Sequence, residues 1–171
     1  ARFCERLKEY AGIAHRECSG GREELGVEYQ TVSTISDPLA PIETIYDQLR
    51  AHQASHAAAE RASRMCLSGP HKDDIAVTIG GVNARQFSSQ GQTRTAALAF
   101  KLAEREIYCE ITSRTPLLLL DDVLSELDPK RQEYVLNRIL GGQVFITCCE
   151  EDRLGTLLSG KVFHIADGKV V

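Results

Sequence analysis

LLLLDDVLSELD, residues 117–128, is the stretch that decides the fold of this chain of 171 residues. Its four leucines form a short apolar run, which is typical of a strand buried on both faces of a parallel sheet. Asp121 and Asp122 end the run, so we expect both carboxylates at the carboxyl edge of that sheet, where α/β proteins bind their ligands. Asp128 followed by Pro129 is a typical start of a helix.

The two carboxylates suit the chemistry of a bound phosphate. Mg²⁺ prefers hard oxygen ligands, and Asp121 is the candidate ligand. Asp122 would face a water molecule that attacks a γ-phosphate. Two acids that merely end a strand are the alternative interpretation, and the sequence Ser125-Glu126-Leu127-Asp128 after them makes the functional interpretation more specific.

Helices and strands alternate along the rest of the chain, which predicts an α/β fold. The helix at about 42–65 carries Ile42, Ile45 and Leu49 on one face, and we expect it to pack on a single neighbour. Ser68-Gly69-Pro70 is the best internal boundary. Periodicity and turn residues predict helices at about 1–18, 42–65, 90–112, 129–140 and 151–158, and strands at about 25–33, 75–79, 82–87, 117–120, 144–147, 161–165 and 170–171.

Composition excludes several classes of protein. No apolar run approaches the ~20 residues of a membrane-spanning helix, so we expect no membrane span. The formal net charge is −4, so a nucleic-acid contact would need a local basic patch. The six cysteines show no Cys-x-x-Cys spacing and no signal peptide is evident, which favours reduced, mostly buried thiols in a cytoplasmic protein without a zinc site.

Ser89-Gln90-Gly91-Gln92 opens the predicted helix at 90–112. Exposed amides, a serine hydroxyl and a glycine at a helix N-terminus form an anion-binding site. An ordinary serine N-cap is the alternative interpretation. The segment therefore predicts either a phosphate contact or a simple helix start.

Other candidate sites are weaker. The sequence from Gly155 to Gly160-Lys161 has the glycine spacing of a P-loop, but Val162 replaces the Ser or Thr that would bind Mg²⁺, and a strand follows where a helix should. The sequence His71-Lys72-Asp73-Asp74 is more typical of a structural turn than of a metal site. The cysteines Cys148 and Cys149 suggest buried packing. The histidines without a third ligand are expected at surface or arm positions, and these are His15, His52 and His56.

The two motifs, in this order along the chain, resemble the signature and Walker B segments of ABC-type ATPases. Together with Gly69-Pro70-His71-Lys72-Asp73-Asp74 upstream, they make the chain similar to the RecF family of recombination mediators. The resemblance implies that residues 1–67 are the end of a mostly helical arm domain. It implies that residues 68–171 are the C-terminal lobe of an ABC-type ATPase head.

The resemblance also implies roles for individual residues. In the family, two heads sandwich ATP, and the signature of one head meets the γ-phosphate held by the other. Asp121 is then the Walker B acid that holds Mg²⁺, and Asp122 takes the position of the catalytic carboxylate. The remaining implied nucleotide contacts are the signature residues Ser89, Gln90, Gly91 and Gln92, the D-loop residues Ser125 and Asp128, and Thr147 at the switch position.

For the complete protein, the resemblance implies a weak ATPase that forms an ATP-dependent homodimer on DNA. The implied partners are single-strand/double-strand DNA junctions and proteins of the RecO and RecR type, in recombinase loading. Without a Walker A loop, these 171 residues alone are expected to bind ATP poorly. The alternatives are the nucleotide-binding domain of a transporter and a non-catalytic interaction fragment.

Three departures count against a transporter. The signature is SQGQ where transporters have SGGQ, and Cys148 follows Thr147 where they place His. Asp122 replaces their glutamate and is shorter by one carbon–carbon bond, ~1.5 Å. We therefore expect slow hydrolysis.

Overall fold

The computed structural model describes residues 1–32, 34–139, 141–149 and 160–171, apart from the side chain of Glu126. The chain forms two compact units, residues 1–114 and 115–171. The first unit contains residues on both sides of the predicted domain boundary between residues 67 and 68. That boundary stays a prediction based on the resemblance to the family. No helix among the described residues is long and apolar enough to cross a bilayer.

The mixture of helices with parallel and antiparallel strands confirms the predicted α/β class. The helices of unit 1 are α1 (Arg2–Cys18), α2 (Ile42–Ser63), α3 (Ala84–Phe87) and α4 (Gln90–Thr112), and its strands are β1 (Leu25–Gln30), β2 (Asp74–Ile79) and β3 (Val82–Asn83). Unit 2 contains β4 (Leu118–Asp121), α5 (Pro129–Arg138), β5 (Val144–Thr147), β6 (Ile165–Ala166) and β7 (Lys169–Val170). Short 3₁₀ turns cover Pro70–Lys72 and Leu124–Glu126.

Unit 1 is an antiparallel sheet with helices packed beside it. The strand order is β1-β2-β3, and Leu25 pairs with Ile79 while Thr78 pairs with Asn83. α1 and α4 pack against each other because both place apolar or small residues at helical spacing on one face. The residues of these two helices that are buried include Leu7, Ala11, Ala14, Ala99, Leu102, Ala103 and Ile107.

Unit 2 is built around the parallel pair β4 and β5. The register aligns Leu118 with Val144 and Asp121 with Thr147, so both strands end at the same edge. Alternation along β4 places Leu120 in the core, with only 4 % of its surface exposed. The other buried apolar residues of this unit are Leu124, Leu127, Val135, Leu136 and Ile139.

The prediction that the leucine strand is buried on both faces is wrong. Leu119 is 67 % exposed and its neighbour Phe145 on β5 is 50 % exposed. The strand is parallel, as predicted, but the face that carries these two side chains is largely exposed. Asp121 and Thr147 lie on this same face because side chains alternate along a strand.

Three other elements differ from the prediction. Residues 84–87 form α3 because the hairpin at Gly80-Gly81 pairs only Val82–Asn83 with β2. α2 has no buried residue, and Ile42, which was predicted on its apolar face, is 71 % exposed. The strand predicted at 161–165 begins only at Ile165, where it pairs with β7. The helix predicted at 151–158 lies outside the described residues.

The prediction that the thiols are mostly buried is only partly correct. Cys4 and Cys18 are buried in α1, and Cys109 is half-buried. Cys66 is exposed, and so are Cys148 and Cys149, for which we expected buried packing. The last two follow directly after β5, beyond its paired residues.

Candidate functional site

The carboxylate site lies where β4 and β5 end, and it consists of Asp121, Asp122, Ser125 and Thr147. The Thr147 hydroxyl donates a hydrogen bond of 2.5 Å to Oδ1 of Asp121. The same hydroxyl accepts one of 3.0 Å from the backbone N–H of Asp122. The structure therefore brings together four of the predicted site residues, and Thr147 connects the two aspartates.

Asp122 adopts an unusual backbone conformation. Its φ of 52° lies in the left-handed region, which non-glycine residues seldom occupy, although aspartate tolerates it better than most. The chain turns sharply at this point, out of β4 and into the 3₁₀ turn. Ser125 Oγ lies 2.8 Å from the carbonyl oxygen of Asp122 and 2.5 Å from its Oδ1, and these two acceptors share the single proton of the hydroxyl. The hydroxyl of Ser125 thus fixes the Asp122 carboxylate.

Asp128 caps the helix that follows. Its Oδ1 accepts a hydrogen bond of 3.1 Å from the backbone N–H of Arg131, and Pro129 is the first helical residue, as the sequence predicts. Arg131 Nε lies 3.5 Å from Oδ2 of the same aspartate. Asp128 therefore anchors α5, and a contact from Asp128 to a nucleotide or a second head stays a prediction.

One side chain at this edge has the chemistry of a magnesium ligand. Asp121 is exposed and offers hard carboxylate oxygens, and Mg²⁺ is often held by one or two carboxylates together with water and phosphate oxygens. No group of three or more His, Cys, Asp or Glu among the described residues could enclose a metal ion. Magnesium at Asp121 would therefore depend on ligands from water and nucleotide.

Thr147 has only one hydroxyl proton, and Asp121 accepts it. A hydrogen bond from Thr147 to a phosphate would require that proton. The switch role predicted for Thr147 therefore stays a prediction. In this structure its hydroxyl instead holds the Asp121 carboxylate and accepts from the backbone N–H of Asp122.

The signature segment, Ser89–Gln92, forms the start of α4 in unit 1. Ser89 Oγ accepts from the backbone N–H of Gln92 at 3.2 Å, and Gln92 Oε1 accepts from the backbone N–H of Ser89 at 2.9 Å. This reciprocal pair is a capping box. It leaves the N–H groups of Gln90 and Gly91, both exposed, at the positive end of a helix of 23 residues.

The side chain of Gln92 also reaches across unit 1. Its Nε2 donates a hydrogen bond of 2.8 Å to Oε1 of Glu23. Oε2 of Glu23 lies 3.4 Å from Nε2 of His15, whose side chain has 0 % exposure. Of the two expected positions for His15, the surface is wrong, because α1 buries this residue on the face that packs in unit 1, and the arm position stays a prediction.

The turn at residues 69–74 is structural, as the sequence predicts. Asp73 accepts hydrogen bonds of 3.2 Å from Thr31 Oγ1 and from the backbone N–H of Val32, and it also accepts one from the Tyr29 hydroxyl. This hydrogen bond, followed by burial and the negative charge of Asp73, raises the pKa of Tyr29 to about 12. Asp73 therefore ties the end of β1 to the start of β2.

Sequence reasoning missed Glu23 and Asp73 as side-chain anchors. Glu23 lies 69 residues before Gln92, and no local spacing connects them. Asp73 lies 44 residues after Tyr29. Both links depend on tertiary packing, so no local sequence signal could have identified these partners.

Comparison with solved structures places the fold among the ABC-type ATPases. Two structures of the recombination mediator protein RecF of the RecFOR pathway, named RecF-ATPrS and RecF-ATP, each match with a TM-score of 0.79. They are 35 % and 34 % identical in sequence, and the match covers 99 % of this chain and 44 % of each of them. The chain belongs to the RecF family of DNA replication and repair proteins.

Individual relatives support this assignment. The RecF protein of Symbiobacterium thermophilum is 43 % identical over 175 residues, which cover 100 % of this chain and 47 % of the relative. The RecF protein of Lactobacillus johnsonii is 39 % identical over 172 residues, which cover 99 % of this chain and 46 % of the relative. The chain thus spans about half the length of these relatives. No protein-family model matches it.

Proposed function

We propose that this chain is part of a RecF-type recombination mediator that binds ATP with Mg²⁺, dimerises through it, and acts on DNA. The observation that carries the proposal is the position of Thr147 between the Asp121 carboxylate and the backbone of Asp122, at the edge where two parallel strands end. Side chains at such an edge commonly contact ligands. The predicted roles of Asp121 and Asp122 are part of this proposal.

Each residue of the carboxylate site has a separate task. Asp121 would hold Mg²⁺, which neutralises the charge of phosphate oxygens when it is bound. Thr147 keeps the Asp121 carboxylate in one orientation. Asp122 orients a water molecule and accepts its proton, and Ser125 holds the carboxylate of Asp122 in place for this.

The signature segment would act on ATP held by a second head. The N–H groups of Gln90 and Gly91, with the Ser89 hydroxyl, would donate to the γ-phosphate in trans. Gln92, which lies at the start of the same helix, would also contact this ATP. Ser125 and Asp128 would lie at the seam between the two heads. ATP therefore completes a site to which each copy contributes one part.

A local basic groove supports the proposed DNA contact. An open groove of about 560 Å³ runs along the second half of α2 and is lined by residues that include Arg50, Arg61 and Arg64. Its one carboxylate, Glu60, accepts a hydrogen bond of 2.8 Å from the backbone N–H of Leu67. No ion pair within the described residues involves these arginines, and Arg50 lies over the ring of Tyr46 at 5.8 Å, so Arg61 and Arg64 are the two most available to phosphates.

The remaining parts of the proposal concern partners and location. We propose that the complete protein works with RecO-type and RecR-type proteins to load recombinase at single-strand/double-strand junctions in the cytoplasm. The support is the family assignment together with the RecFOR pathway named for the matching structures. The domain division at residues 67 and 68 is proposed on the same resemblance.

The decisive experiment uses the full-length protein that carries these residues. Asp121→Asn should lower Mg²⁺-dependent ATP turnover by about a hundredfold, because the amide loses the charge that attracts the metal ion. Asp167→Asn makes the same chemical change in the turn between β6 and β7 and should leave turnover unchanged. Equal turnover of Asp121→Asn and wild type would contradict the proposal. Light scattering with and without ATP tests the proposed dimer directly.

A second experiment concerns the 171 residues alone. Their sequence contains no Gly-x4-Gly-Lys-Ser/Thr motif, so we propose that tight binding of Mg-ATP requires residues outside this chain. Calorimetric titration should detect no tight binding. A submicromolar dissociation constant for Mg-ATP would overturn this part of the proposal.

A further inference from the structure

Both ends of the Gln92 carboxamide are engaged within unit 1. The oxygen accepts a hydrogen bond of 2.9 Å from the backbone N–H of Ser89, and the nitrogen donates one of 2.8 Å to Glu23. Because an amide is planar, these two bonds together fix its rotation. Gln92 is half-buried and Ser89 is exposed, so the link joins the interior of unit 1 to the exposed start of α4.

Glu23 is itself anchored at the end of α1. Its Oε2 lies 3.4 Å from Nε2 of His15, and the two side chains are 22 % and 0 % exposed. The buried residue Ser19 accepts a hydrogen bond of 3.4 Å from the backbone N–H of Glu23. Gly20 and Gly21, with φ of 65° and 76°, let the chain reverse between α1 and β1 and bring Glu23 to this place.

We propose that Glu23 is a positioning residue for the signature segment. The inference rests on the proposed function, in which the start of α4 contacts ATP. Glu23 holds the carboxamide of Gln92 in the one rotation that lets its oxygen cap Ser89. The capping box then sets the direction of the free N–H groups of Gln90 and Gly91. Glu23 therefore acts on the nucleotide site only through Gln92.

The first measurement needs no nucleotide. In the full-length protein, Glu23→Ala should speed amide hydrogen exchange at positions 89 and 92, whose N–H groups the capping box engages, by about three- to tenfold, because the carboxamide loses one of its two partners. Glu23→Gln keeps an oxygen that accepts from Gln92, so exchange should stay close to wild type. Glu24→Ala removes an exposed carboxylate one position away and serves as the matched control.

An exchange of partners provides a sharper test. Gln92→Glu places a carboxylate against Glu23, so it should speed exchange at positions 89 and 92. Glu23→Gln combined with Gln92→Glu should reverse this, because the amide introduced at position 23 donates to the carboxylate introduced at position 92. If exchange slowed again in the double variant, the direct contact between residues 23 and 92 would be identified as the cause. A fold that was only damaged would not recover when a second substitution is added.

The second measurement is ATP-dependent dimerisation. Glu23→Ala should weaken it by about three- to tenfold, and Glu23→Gln should restore it. Unchanged exchange at positions 89 and 92 in Glu23→Ala would overturn the positioning role, whatever happens with ATP. If Glu23→Ala changed hydrogen exchange but dimerised with ATP as the wild type does, the proposed effect of Glu23 on the nucleotide site would be overturned. If the wild-type protein did not dimerise with ATP, the proposed function would fail, while the exchange experiments would still decide the role of Glu23.

Discussion

Thr147 donates a hydrogen bond of 2.5 Å to Asp121 across 26 residues of sequence. The two residues are register partners at the ends of the parallel strands β5 and β4. Their hydrogen bond is thus a direct consequence of how the strands align. The same hydroxyl accepts from the backbone N–H of Asp122, so one side chain contacts both aspartates, one through its carboxylate and the other through its backbone.

Thr147→Val keeps the shape of the side chain and removes its hydroxyl. The Asp121 carboxylate loses its donor, and we expect Mg²⁺-dependent ATP turnover of the full-length protein to fall by about tenfold. Thr147→Ser retains the hydroxyl and should stay within about twofold. Steady-state kinetics should show the loss mainly in kcat. Identical turnover in wild type and Thr147→Val would exclude an orienting role.

Asp122→Glu should increase the rate of hydrolysis several-fold. The longer side chain moves the carboxylate ~1.5 Å further from the backbone, towards the water that it is proposed to orient. Glutamate is less suited than aspartate to the φ of 52°, so a small loss of stability is also expected. Single-turnover measurements with the full-length protein separate the chemical step from product release. An unchanged rate would contradict the idea that side-chain length limits hydrolysis.

We expect the free energy of unfolding to fall in alkaline solution because the Tyr29 hydroxyl loses its proton there. The pKa of Tyr29 is about 12 in the folded protein, above the ordinary value of 10.0, because its hydroxyl donates to Asp73. Stabilisation from a raised pKa is fully present below pH 10 and is lost as the pH rises to 12. Melting temperatures across this range should fall less for Tyr29→Phe than for wild type. Tyr46→Phe, at an exposed position on α2, should behave like wild type.

Gly26 leaves no room for a side chain. A Cβ atom at this position would lie 2.3 Å from Oγ1 of Thr78, its partner on β2. Gly26→Ala should therefore destabilise unit 1 by about 1–3 kcal/mol, and a second change, Thr78→Ala, should recover most of the loss. Gly12→Ala in α1 is the control. Its Cβ would meet only Leu25 O at 3.8 Å, so it should lower stability little or raise it. Thermal unfolding of the four proteins gives the comparison.

The arginine groove on α2 predicts a salt-dependent DNA affinity. Arg61→Gln with Arg64→Gln should weaken binding of the full-length protein to a duplex with a single-stranded tail. The slope of log affinity against log salt should become shallower by about two, one for each lost phosphate contact. Lys101→Gln with Arg114→Gln removes two exposed cations elsewhere in unit 1 and should leave the slope unchanged. If the arginine double variant showed the same salt dependence as the control double variant, the groove would be excluded as the DNA contact.

The sequence was most informative where local rules apply. Helical periodicity predicted α1 and α4 almost to the residue, and Asp128-Pro129 predicted the start of α5. The leucine run followed by paired aspartates predicted a parallel strand that ends in carboxylates. Each of these signals lies within a few residues of the structure that it predicts.

The remaining features depend on contacts between distant segments. The bond from Gln92 to Glu23 exists only because α1 and α4 pack together. The exposure of Leu119 depends on what covers its face of the sheet, which a run of leucines does not specify. The left-handed backbone of Asp122 follows from the sharp turn after β4, and an aspartate in a sequence does not predict it.

That backbone conformation has a consequence for how position 122 can change in evolution. Glycine adopts a φ of 52° without steric cost, so thermodynamic stability alone would favour glycine there. Glycine would also remove the carboxylate on which the proposed hydrolysis depends. Selection for a stable fold and selection for turnover therefore favour different residues at position 122.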